Sequence, residues 1–243
     1  MAVSTRYERV SAHDSGEFDA FCATPGSGQG PGVVLFQEIF GINDNMRGLA
    51  ERLAGQGFVT LVPDMFWRLE PRFERKDESG LGDAFALVQA FDWETGGADM
   101  ASTFAHLLAM PECTGRVGGV GFCFGGTLAY LFAATGRVDG RGPDAAVSYY
   151  GSGVHTLLNL MEQIECPVMF HYGSRDPFIP EEQIAAVEAA AAGRVDVALH
   201  RYDAGHAFSN WDAPSMYDKE SADLAWDRTL GFLATYLGRR APQ

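Results

Sequence analysis

The chain has 243 residues, 47% hydrophobic and 21% charged, with 18 Lys+Arg against 32 Asp+Glu and a formal net charge of −14. That length suits one large domain or two small ones, and that apolar fraction excludes a disordered chain. The acidic balance excludes a nucleic-acid backbone or an anionic membrane as the main partner, since both want an excess of Lys and Arg.

In chain order, the first ten residues are polar and lack the apolar stretch of a secretory signal, so a cytoplasmic protein is expected. A Gly/Ser/Pro turn at 25–32 leads into the run at 33–36, which is short, apolar and β-branched and reads as a buried strand. Residues 43–54 put Met46, Leu49, Ala50 and Leu53 on one helical face, stopped by Gly55. A strand is expected at 58–62, closed by Pro63, then helices at 83–91 and 98–110 and a short strand at 117–121. The helix at 125–135 is apolar all round, as a buried helix is, and its apolar stretch at 128–134 is far too short to span a bilayer. Strands at 145–150 and 168–172, a helix at 180–192 with proline in its first turn, a strand at 197–202 and a helix at about 222–237 complete the chain. Strands alternating with helices imply an α/β fold, a mostly parallel sheet covered on both faces, filling residues 1–243 as a single domain. In such sheets the ligand site lies at the carboxyl ends of the strands.

Four cysteines are present, Cys22, Cys113, Cys123 and Cys166. None is in a C-x-x-C pair, so neither a metal site nor a disulfide scaffold is expected, and a reducing compartment fits. Cys123 stands apart. It is the centre of Gly121-Phe122-Cys123-Phe124-Gly125, a nucleophile-elbow pattern with Cys for Ser, between a strand and an apolar helix. Glycines two before and two after allow close backbone approach, and the helix N-terminus favours a thiolate. A small buried cysteine on a Gly-rich turn is the plain alternative. A thiol hydrolase also needs a base and a group that orients it, in the order nucleophile, acid, histidine. Asp176, after the strand at 168–172, supplies the acid, although an aspartate there is more commonly a turn or cap residue. His206, after the strand at 197–202, supplies the base. His13, His106, His155 and His200 sit in no such pattern, and His171 reads as a packed core histidine.

Glu38 ends the buried strand at 33–36, where a carboxylate is costly unless paired or used. It is read as a second carboxylate able to take the thiol proton. The backbone N–H groups of Ile39 and Phe124 are read as an oxyanion hole.

The motifs QEIFGIN at 37–43, VGGVGFCFGG around Cys123, RDPFIP at 175–180 and AGHAF at 204–208 together resemble the dienelactone hydrolases (carboxymethylenebutenolidases), over about residues 33–237. The resemblance implies the α/β-hydrolase fold, a Cys123–Asp176–His206 triad and Glu38 as thiol activator. It also implies two arginines for a substrate carboxylate, and those positions here are Leu81 and Asn210. A pocket tyrosine of the family corresponds to Phe85. The expected activity is hydrolysis of an ester or enol-lactone through an acyl-thioester, on a substrate other than the standard dienelactone. Phe40, Phe85, Phe124, Tyr150 and Phe178 are expected to line an aromatic pocket, with Asn210 in contact with substrate. Arg68, Arg72 and Arg75 either form a solvated surface loop or fold over the site in place of the missing pair. The competing readings are a general carboxylesterase or lactonase and a non-catalytic binder on the same fold. No cofactor or metal is expected, the partner is a small ester or lactone, and a monomer is the expected state.

Overall fold

Two strands precede the first one expected from the sequence. In the computed structural model, which describes residues 2–76 and 78–238, β1 (Ser4–Ser11) and β2 (Glu17–Thr24) form an antiparallel hairpin. β1 is exposed along most of its length. A strand with water on both faces has no apolar alternation to reveal it.

The rest follows the expected alternation. β3 (Gly30–Phe36), α1 (Asp44–Gly55) and β4 (Val59–Pro63) are followed by α2 (Leu81–Ala90), α3 (Trp93–Ala109) and β5 (Cys113–Phe122). Then come α4 (Phe124–Thr135), β6 (Ala145–Tyr149), β7 (Val168–Gly173), α5 (Glu181–Ala191), β8 (Val197–Tyr202) and α6 (Lys219–Leu237). Among the described residues no helix is long and apolar enough to cross a membrane.

The sheet order is β1-β2-β4-β3-β5-β6-β7-β8, antiparallel at β1–β2 and β2–β4 and parallel elsewhere. Along β3, Val33 and Leu35 join one core cluster and Val34 and Phe36 the other, so both faces are covered. Met46, Leu49, Ala50 and Leu53 of α1 pack on the first face as their spacing predicts. α3 begins five residues before the expected 98. Asp92 caps it by accepting the N–H groups of Glu94 and Thr95, and Gly96 leaves room for the Phe91 ring. The chain runs from β3 outward to β4, then crosses to β5 on the other side. The crevice beyond the ends of β3 and β5 is therefore a topological switch point.

Candidate active site

Cys123 is the single residue between β5 and α4, with φ 55° and ψ −115°. Such a backbone is strained for an L residue and persists only where packing enforces it. The enforcement is visible. A Cβ on Gly121 would overlap the carbonyl of Gly125, and one on Gly125 would overlap the carbonyl oxygens of Phe36 and Gln37. The Cys123 N–H donates to the Tyr149 carbonyl at 3.0 Å, fixing the turn to the end of β6.

Three strand ends converge here. His206 follows β8, and its Nε2 lies 3.2 Å from Cys123 Sγ while its Nδ1 lies 2.7 Å from Asp176 Oδ2. Asp176 follows β7. Its Oδ1 accepts the N–H groups of Phe178 at 2.8 Å and Ile179 at 3.2 Å, so one oxygen anchors the loop and the other orients the imidazole. Burial disfavours the imidazolium. The neighbouring Cys123 sulfur and the Asp176 carboxylate outweigh it and lift His206 to about 10.

Glu38 follows β3 and is buried. Its Oε2 accepts from the Asn210 amide at 2.6 Å and its Oε1 from the Tyr150 hydroxyl at 3.2 Å. The Asn210 oxygen accepts the Asp212 N–H at 3.0 Å, which turns the NH2 group toward Glu38. Tyr150 OH also lies 2.6 Å from Ser209 Oγ. Burial pushes the Glu38 carboxyl up, while the charge of His206 and the hydrogen bonds from Asn210 and Tyr150 pull it down. Glu38 thus reaches the pocket, and the hydrogen bonds that hold it come from Asn210 and Tyr150 rather than from the thiol.

The pocket above Cys123 measures about 590 Å3 with its open mouth and is lined by Glu38, Ile39, Phe40, Leu81, Phe85, Ser152, Phe178, His206, Ala207 and Met216. Phe85 and Phe178 stand at its rim, 43% and 51% exposed. The Phe178 ring meets the His206 ring edge-on at 5.1 Å. Ser152 and Met216 belong to no motif, and nothing in the sequence singled them out.

Several expected positions are corrected. Tyr150 and Asn210 do not form the pocket wall, because both are buried beneath it with their polar ends on Glu38. The Phe124 ring points away and stacks on Phe66 at 5.3 Å, leaving only its backbone amide at the start of α4 for the site. That N–H opens the helix and so has no intrahelical acceptor. Arg68 does not reach the pocket. Its guanidinium pairs with Asp14 at 2.6 Å and Asp99 at 2.8 Å and lies over the Trp67 ring. Arg72 is likewise held by Asp19, and Arg75 by Asp83. Cys22 and Cys166 are buried, Cys113 is half-buried, and all three thiols are pushed up by burial. His171 is a buried core histidine bonded to Tyr202 and Thr229.

A family model described as the dienelactone hydrolase family matches residues 18–237. A carboxymethylenebutenolidase from Pseudomonas sp. (strain P51) is 36% identical over 226 residues, 92% of each chain. Carboxymethylenebutenolidase 1 from Cupriavidus pinatubonensis (strain JMP 134 / LMG 1197) is 34% identical, covering 93% of this chain and 94% of that one. The crystal structure of a dienelactone hydrolase-like promiscuous phosphotriesterase from metagenomic libraries superposes with a TM-score of 0.82 at 25% identity, covering 98% of this chain and all of the other. A dienelactone hydrolase structure from Anabaena variabilis ATCC 29413, 18% identical, shares the fold with a TM-score of 0.71, over 98% of this chain and 100% of that one.

Proposed function

The chain belongs to the dienelactone hydrolase family, a hydrolase of enol-lactone or ester bonds, and on that premise we propose that it works through Cys123 as nucleophile on an uncharged ester or lactone. The observation that carries this reading is the Cys123–His206–Asp176 chain, with contacts of 3.2 and 2.7 Å on three separate strand ends.

The thiol of Cys123 gives its proton to His206, and Asp176 holds the resulting imidazolium in place. The thiolate adds to the carbonyl carbon, and the N–H groups of Ile39 and Phe124 stabilise the oxyanion. Collapse breaks the C–O bond as His206 protonates the departing oxygen, leaving an acyl-thioester. His206 then takes a proton from water, the hydroxide attacks, and the C–S bond breaks to regenerate the thiol. Glu38 is the second proton acceptor beside this pair. Its partners Asn210 and Tyr150 are uncharged. A substrate carboxylate therefore finds no guanidinium bonded to Glu38 to draw away, and the glutamate is held independently of substrate.

An uncharged substrate follows from the wall. Leu81, Phe40, Phe85, Phe178 and Met216 offer an anion neither charge nor donors, and Arg68, Arg72 and Arg75 are committed to Asp14, Asp19, Asp83 and Asp99. Turnover of p-nitrophenyl butanoate should fall at least about hundredfold in Cys123→Ala. Intact-mass analysis of the wild type quenched during turnover should show a butanoyl adduct at Cys123. Undiminished turnover by Cys123→Ala, or an adduct on another residue, would refute the thiol mechanism. No ester or lactone turnover by the wild type would favour a binding protein.

A further inference from the structure

A second cavity adjoins the catalytic pocket and shares part of its wall. It is lined by Arg175, Pro177, Gly205, Tyr217 and Asp218, among others, and Phe178, His206 and Met216 face both spaces. The two compartments differ in chemistry. The catalytic pocket is walled mainly by apolar side chains. Its neighbour carries the Arg175 guanidinium, steadied at its edge by Asp203 at 2.8 Å, together with the Tyr217 phenol.

We propose that this second cavity is the subsite for the alcohol half of the substrate, and that it takes a polar, hydroxyl-bearing alcohol. The inference rests on the ester-hydrolase reading above. The reaction assigns the direction. The proton that Cys123 loses is delivered by His206 to the alkoxide oxygen as the C–O bond breaks and the C–S bond forms, so the alcohol departs on the His206 side. His206 borders the polar cavity as well as the catalytic pocket, so the departing alcohol can extend past Phe178 and Met216 into it while the acyl half stays in the apolar pocket bound to sulfur. Arg175 and Tyr217 place hydrogen-bonding groups where an alkyl alcohol has none to offer. A polyol can hydrogen-bond to them, whereas an alkyl alcohol of the same shape displaces their water without replacing its hydrogen bonds.

The test compares two esters of one acid, 2,3-dihydroxypropyl butanoate and 2-methylbutyl butanoate, whose alcohols have the same shape. The wild type should favour the dihydroxypropyl ester by about tenfold in kcat/KM, the equivalent of one hydrogen bond. Arg175→Ala and Tyr217→Ala should each bring that ratio toward one. A second measurement needs no variant. Glycerol added during p-nitrophenyl butanoate turnover should re-enter the cavity and intercept the acyl-thioester, yielding 2,3-dihydroxypropyl butanoate in preference to the ester formed from equimolar 2-methylbutanol. A ratio near one in the wild type, a ratio that survives both substitutions, or equal capture of the two alcohols overturns the subsite. In each of these cases the ester-hydrolase reading stands, because butanoate is still released. Only absence of all turnover tells against that reading.

Discussion

Two opposing forces meet at Glu38. Burial raises its pKa, and the charge of His206 together with the donors from Asn210 and Tyr150 lowers it. The balance matters, because a glutamate that accepts a thiol proton must first be ionised. Asn210→Leu removes the 2.6 Å donor and leaves burial less opposed. The carboxyl is then protonated over a wider acidic range, and the acid limb of the kcat/KM profile moves to higher pH. Below neutral pH the variant should run slower than the wild type, with the gap widening as the pH falls through the acid limb and closing as the pH rises. A profile with an unmoved acid limb would mean that ionised Glu38 is not required. These roles differ in how far the sequence exposes them. Cys123, Asp176 and His206 each sit just after a strand, in a local pattern that can be read. The grip of Tyr150, Ser209 and Asn210 on Glu38 spans distant parts of the chain and leaves no local signature. The pocket wall is hidden for the same reason, since Ser152 and Met216 arrive there only through the fold.

Local patterns register an element when its burial leaves a distinct mark on the sequence. β3 and α1 were legible because a solid apolar run and a 3.6-residue stripe each have one physical meaning. β1 was not, because exposure on both faces erases the alternation, and the start of α3 was obscured by Gly96 and Gly97. The turn from β5 to α4 is the opposite extreme, where the glycine spacing alone implies the packing. Gly125→Ala would drive a methyl group into the carbonyls of Phe36 and Gln37, which are backbone and cannot give way. It should cost about 3 kcal/mol or more in urea unfolding, through overpacking and displacement of Cys123. Gly97→Ala in α3 meets open space. It should instead raise stability by about 0.5 to 1 kcal/mol, from helix propensity alone. Equal effects at the two positions would mean that the elbow tolerates rearrangement and is not held by backbone contact.

On the scale of the whole molecule, an acidic protein must place its few cations with care, and Arg68 shows where one went. It bridges three parts of the fold: Asp14 in the turn of the β1–β2 hairpin, the segment after β4 that carries it, and Asp99 on α3. Asp99 is buried and also accepts the Trp67 Nε1–H at 2.8 Å, so the guanidinium neutralises a carboxylate that water does not reach. Arg68→Ala would leave that carboxylate with the indole N–H but without its counter-charge. Breaking a buried pair on one side costs about 3 kcal/mol. The unfolding midpoint in urea should fall accordingly, while kcat/KM for neutral and anionic esters alike stays at the wild-type value, since the side chain lies outside the catalytic pocket. Arg68→Lys keeps the charge without the fork that spans both aspartates, so its stability should lie between the two. A substrate-binding arginine would give the reverse pattern, an unchanged midpoint with KM raised for anionic esters only. The pair of measurements therefore separates an arginine that fastens the hairpin to the sheet from one that recognises substrate.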